Sequence, residues 1–117
     1  MSNKKYLSVV LKVDRDVRKC VLTRTYPMNI DIPFIVYFYS KEKKAIIGEA
    51  VCDDIEDVSN PAYIAKRTGY SEEGTMKYLQ GCDGYLWRLK SIQRYKSYRE
   101  LSYFGLKKLT KKWGYAE

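Results

Sequence analysis

Phe34-Ile-Val-Tyr-Phe-Tyr39 is a continuous apolar and aromatic run of strand length, too short for a typical helix and rich in the residues that suit a pleated surface. Without polar alternation it predicts a central strand buried on both faces. Polar chemistry brackets it. Upstream, Pro27 and Pro33 enclose Met28-Asn29-Ile30-Asp31, read as a loop. Downstream, Lys41-Glu42-Lys43 reads as a turn into Ala45-Ile-Ile-Gly-Glu-Ala-Val51, where Gly48 predicts a bulge or a close backbone approach.

Further towards the N-terminus, Tyr6-Leu-Ser-Val-Val-Leu-Lys-Val13 alternates and is β-branched, and ends at the turn residues Asp14-Arg15-Asp16. Cys20 to Tyr26 has similar strand composition. After Asp57 the pattern changes. Asn60-Pro61 is an N-cap followed by a first-turn proline and Gly69 suits the end, predicting a short helix to Thr68. Ser71-Glu72-Glu73 opens a second helix, over 72–80, which Gly81 closes. Tyr85 to Tyr95 returns to strand composition, and Ser97-Tyr-Arg-Glu100 matches a capping box, predicting a last helix from near Tyr98 and interrupted at Gly105. Strands, two inserted helices, a strand and a helix do not alternate as a parallel α/β fold requires. The expectation is an α/β domain of the α+β kind: a small, curved, mostly antiparallel, barrel-like sheet with flanking short helices, in which residues 1–117 form a single domain.

Composition narrows the function. The formal charge is +8, with 45% hydrophobic residues and 12 tyrosines, enough for a real core. Residues 1–48 hold 10 Lys and Arg against 4 acids, residues 49–83 hold 3 against 8, and residues 84–117 hold 9 against 2. Net charges of +6, −5 and +7 predict two basic segments on one face and an acidic segment turned elsewhere, a field suited to a polyanion. Histidine is absent, which excludes Ser-His-Asp and Cys-His catalysis and His-ligated metals. Phosphate-loop and dinucleotide fingerprints are absent too. Cys20, Cys52 and Cys82 are too dispersed for a zinc site and read as reduced thiols, mostly buried. Asp53, Asp54, Glu56 and Asp57 lack the glycine and spacing of a calcium loop. No cofactor or metal is expected. Met1-Ser2-Asn3-Lys4-Lys5 leads into the first strand without the apolar run of a signal peptide or membrane span, which predicts a cytoplasmic protein with no membrane partner.

The clearest binding candidate is Tyr85-Leu-Trp-Arg-Leu-Lys-Ser-Ile-Gln-Arg-Tyr-Lys96. Strand alternation would place Arg88, Lys90, Arg94 and Lys96 in one row against successive phosphates, with Tyr85, Trp87 and Leu89 facing the core. A charged, solvated edge strand is the competing reading. The tail adds Lys107, Lys108, Lys111 and Lys112 before Trp113 and Tyr115, rings on which bases could stack.

The pieces Phe34-Ile-Val-Tyr-Phe-Tyr-Ser40, Ala45-Ile-Ile-Gly-Glu49, Thr68-Gly-Tyr-Ser71, Lys77-Tyr-Leu-Gln-Gly81 and Tyr85-Leu-Trp-Arg-Leu89, in this order and spacing, resemble the ASCH domains of the PUA-like superfamily. The resemblance covers the chain from about Val17 onward. It implies a small β-barrel flanked by helices, with a cleft for RNA or a modified base. The family's Gly-x-Lys-Thr-x-Glu-x-Arg motif is degraded here to Val17-Arg-Lys-Cys-Val-Leu-Thr-Arg24: Lys19 and Arg24 match its basic positions, Cys20 stands at Thr and Leu22 at Glu or, in hydrolase members, Thr. The implied cleft residues are Lys19, Arg24, Tyr39 and Ser40. Some relatives deacylate acylated cytidine with a Lys, a hydroxyl and a carboxylate, and Leu22 offers no hydroxyl. Binding of RNA or single-stranded nucleic acid is therefore preferred to catalysis. The alternatives are an enzyme acting on a modified nucleoside or on RNA, with Lys19 central, and a protein-interaction module.

Overall fold

The computed structural model describes residues 5–13, 19–106 and 108–116; the turn expected at Asp14 to Asp16, the start of the basic motif at Val17 and Arg18, and Lys107 lie outside the described residues. The chain runs β1 (Tyr6–Val13), β2 (Cys20–Thr23), β3 (Ile30–Ser40), β4 (Ala45–Val58), α1 (Pro61–Thr68), α2 (Glu72–Leu79), β5 (Gly84–Arg99), a 3₁₀ turn (Leu101–Phe104) and β6 (Trp113–Tyr115). The strands form one sheet in the order β2-β5-β4-β3-β1-β6. All neighbours are antiparallel except β1 and β3, which run parallel.

As expected, β3 is interior. Phe34, Val36 and Phe38 are fully buried in the main core with Val9, Leu11 and Trp87. Its outer face is covered only in part. Tyr37 and Tyr39 pack on a second cluster with Val10, Ile46 and Phe104, whereas Ile35 is exposed. The C-terminal segment thus covers one end of the outer face only. The presumed loop before Pro33 is partly strand, since Ile30 pairs with Tyr6.

The sheet curls into a half-barrel. Trp113 makes contacts across its ends. Trp113, on edge strand β6, lies 6.1 Å from Trp87 on β5 and donates its indole N–H to Thr25 Oγ1 at 2.8 Å, just past the opposite edge strand. Tyr115 stacks on Tyr6 at 4.4 Å. The tail rings therefore have structural contacts, and both are half-buried. Trp87 is wholly buried and donates its N–H to Thr23 Oγ1 at 2.7 Å, satisfying an indole that burial would otherwise penalise.

Both helices begin where their caps predict. Asn60 Oδ1 accepts from the amides of Ala62 and Tyr63, and Ser71 Oγ accepts from Gly74 N at 2.9 Å. Gly69 takes the left-handed conformation after α1. Ile64 and Leu79 close a third cluster over Cys20, Leu22 and Leu86, fixing the helices against β2 and β5. The predicted last helix does not form. β5 continues through Ser97 to Arg99, which pairs with Ile46, and Glu100 makes no capping bond, so local capping chemistry yields to strand pairing.

Gly48 behaves as expected: a Cβ there would sit 2.5 Å from the Gln93 carbonyl oxygen, so only glycine admits the close approach of β4 to β5. Cys20 and Cys52 are buried, Cys82 is exposed and all three are free thiols. Burial pushes the Cys52 thiol up to about 12, leaving it uncharged and inert at neutral pH.

Candidate nucleic-acid interface

A cavity of about 380 Å³ opens where the end of β1, β2 and α2 meet. Leu22, inward from Cys20 on the helix-facing side of β2, forms its apolar floor. One face of α2 supplies one wall: Ser71 at the cap, Gly74, Thr75 and Tyr78 lie at the spacing that puts side chains on one helical face, with Tyr70 just before them. The wall is held rigid, because Ser71 Oγ is engaged by Gly74 N and buried Thr75 donates its hydroxyl to the Ser71 carbonyl at 2.9 Å. Three lysines complete the lining: Lys12 on β1, Lys41 after β3 and Lys112 before β6. Backbone bonds fix their stems, Lys12 N donating to the Lys112 carbonyl at 2.8 Å and Lys41 N to the Val13 carbonyl at 3.2 Å. Burial raises the Tyr78 phenol above its ordinary range, opposed by nearby Arg24, so the ring stays neutral at physiological pH.

The residues nominated from sequence fall around this cavity rather than in it. Lys19 is exposed at the entrance to β2, where its carbonyl accepts from Leu89 N, so it is not the buried base that a catalytic reading needs. Arg24 is exposed beside Tyr78. Ser40 is buried and its Oγ accepts from Lys43 N at 3.1 Å, holding the turn that carries Lys41 and Lys44. Tyr39 lines a second cavity of about 420 Å³ that shares Lys12 and Lys41 with the first.

The basic row on β5 is not one row. Between the pairs Val51↔Lys90 and Glu49↔Gln93, β5 advances three residues while β4 advances two, and Ser91 has φ 54°. The extra residue is a bulge that reverses the alternation. Arg88 and Lys90 lie before it; Arg94 lies after it on the opposite face, donating to Tyr98 OH, and Lys96 falls in a second irregular stretch of the pairing, between Arg94 and Arg99. Nor is the acidic segment turned elsewhere. β4 pairs along β5, and Asp53 bridges Arg88 at 2.8 Å and Lys90 at 3.6 Å. The Arg88 hydrogen bond holds the Asp53 carboxyl below its usual range.

Sequence reasoning missed Tyr70, Ser71, Thr75 and Tyr78, although their helical spacing after a cap was a usable signal. It had no means of joining Lys12, Lys41 and Lys112, which tertiary structure alone brings to one rim. Among the described residues no group of His, Cys, Asp and Glu side chains is placed to hold a metal, and no helix is long and apolar enough to cross a membrane.

A curled mixed sheet with two short helices on one flank gives a small α+β domain with a PUA-like fold. Within that class the fold is that of ASCH structures. ASCH from Zymomonas mobilis superposes with a TM-score of 0.77 at 13% identity, covering 95% of this chain and 88% of that one. A mutant of the same protein gives 0.78 at 14% identity, covering 97% and 91%. The N-terminal domain of Staphylothermus marinus McrB gives 0.55 at 12% identity, covering 86% and 80%. No family model and no curated protein sequence matches the chain.

Proposed function

We propose that this domain binds RNA or single-stranded nucleic acid by seating one nucleotide in the cavity between β1, β2 and α2. The observation that carries the reading is the convergence of Lys12, Lys41 and Lys112, from three separate segments, on a cavity walled by Tyr70 and Tyr78 and floored by Leu22. Its volume lies within the range of small-ligand sites. Lysines suit phosphate as compact point charges, and tyrosine faces suit bases. The shared fold with ASCH structures is consistent with this use of the cleft.

Around the pocket, Lys19 and Arg24 flank the entry as backbone contacts, and Tyr39 extends the surface beyond Lys12 and Lys41. Ser40 acts indirectly, by holding the lysine turn. On β5, Arg94 and Lys96 are further backbone contacts, and the contribution of Arg88 and Lys90 is reduced because Asp53 already pairs with both. An enzyme acting on a modified nucleoside is the less favoured reading, since Leu22 places a hydrocarbon where relatives carry a reacting group.

Anisotropy titrations of labelled single-stranded RNA test the binding reading. Tyr70→Ala should weaken affinity by about 1–3 kcal/mol, the loss of one stacking face. Arg94→Ala with Lys96→Ala should flatten the dependence of log affinity on log salt by about 1 to 1.5, since each single-strand phosphate releases roughly 0.7 of a counterion. No affinity for RNA at low salt would overturn the reading in favour of a protein partner.

A further inference from the structure

The second cavity lies next to the first on the same basic side of the molecule. Its lining combines Tyr39, Leu101 and Leu109 with Lys12, Lys41, Lys44 and Lys108. Lys12 and Lys41 line both cavities, and Lys12 pairs in register with Tyr39, so that ring and that ammonium stem are neighbours across β1 and β3. The turn Lys41–Lys44 is fixed at both ends: Lys44 N donates to the Ser40 carbonyl at 2.8 Å, and Lys43 N to Ser40 Oγ. Among the described residues, none of Lys12, Lys41, Lys44 and Lys108 is in an ion pair, unlike Arg88 and Lys90. Four uncompensated cations beside an apolar, aromatic wall match a polyanion that also carries flat apolar rings.

We propose that a single strand of nucleic acid passes over Lys12 and Lys41 from the first cavity into the second, so that the domain engages at least two consecutive nucleotides. This rests on the binding reading above and adds a path to it. Lys12 and Lys41 meet the phosphate linking the two nucleotides. Lys44 and Lys108 meet the next phosphate, and Tyr39 with Leu101 and Leu109 receives the second base.

The test measures affinity against length for random-sequence RNA of one, two, four and eight nucleotides, at low salt. Wild type should bind four nucleotides at least about tenfold more tightly than one, with a steeper salt dependence for the longer probe. In Lys44→Ala with Lys108→Ala, mononucleotide affinity should stay as in wild type, most of the gain with length should vanish, and the salt slope for four nucleotides should fall by about 1.4. The pair Lys5→Ala with Lys66→Ala removes equal charge from positions that line neither cavity, and should keep the length dependence. Retention of the full length dependence in Lys44→Ala with Lys108→Ala, or loss of it in both double variants alike, would overturn the path. Mononucleotide binding without any gain in wild type would overturn the path and leave the first pocket standing. Absence of binding at every length would remove both.

Discussion

A single hydrogen bond illustrates how this core tolerates polar atoms. Thr23 and Trp87 are both fully buried, and the indole N–H has the threonine oxygen at 2.7 Å as its partner. Thr23 Oγ1 in turn donates to the Thr25 carbonyl at 2.9 Å. Thr23→Val keeps the shape but strands the indole donor and the carbonyl, so unfolding by urea should show a loss of about 1–3 kcal/mol with little change in slope. Combining it with Trp87→Phe should cost less than the sum of the two single changes, because the donor is then gone as well. Strict additivity in that cycle would show that the bond contributes nothing beyond packing.

At the scale of elements, the pairing of β4 with β5 both builds the sheet and tempers its charge. β4 carries the acids that follow Val51, and the register brings Asp53 onto Arg88 and Lys90. These exposed pairs matter little for stability, as surface ion pairs generally do. Their consequence is for binding, since the carboxylate competes with any phosphate for the same two cations. Asp53→Asn should therefore raise affinity for single-stranded RNA and steepen its salt dependence by up to about 1.4, with the fold unchanged. An unaltered slope would exclude Arg88 and Lys90 from the interface and leave the basic contribution of β5 to Arg94 and Lys96, beyond the Ser91 bulge.

For the whole molecule, the arrangement is a curled sheet whose helix-bearing flank opens a basic pocket, and the composition of that pocket bears on catalysis. Leu22 floors it, and no carboxylate is among its lining residues as described. Deacylation of an acetylated cytidine requires a nucleophile or a general base with a positioned partner. Purified protein should therefore show no enzyme-like turnover of acetylated cytidine. Robust turnover that disappears in Lys12→Ala or Lys41→Ala would reverse this and make the pocket an active site.

Sequence by itself determined the local grammar of this protein. The Asn60-Pro61 and Ser71 caps, the Phe34 to Tyr39 strand and the Gly48 close approach all follow from short-range sterics and hydrogen bonding, which act within a few residues and leave their mark in composition. The order and spacing of five such pieces sufficed to point to the ASCH fold. Tertiary structure alone decided what depends on register and closure. The Ser91 bulge split the basic row because one extra residue reverses the side chains that follow it, Arg94 among them. β5 stayed extended through the capping box at Ser97 to Glu100, because pairing with β4 holds it on either side, at Arg94 and at Arg99. Pairing of β1 with β3 and β6 brought Lys12, Lys41 and Lys112 to one rim and Tyr115 onto Tyr6, and curling of the sheet set Trp113 against Trp87, a convergence of distant segments that no local pattern encodes.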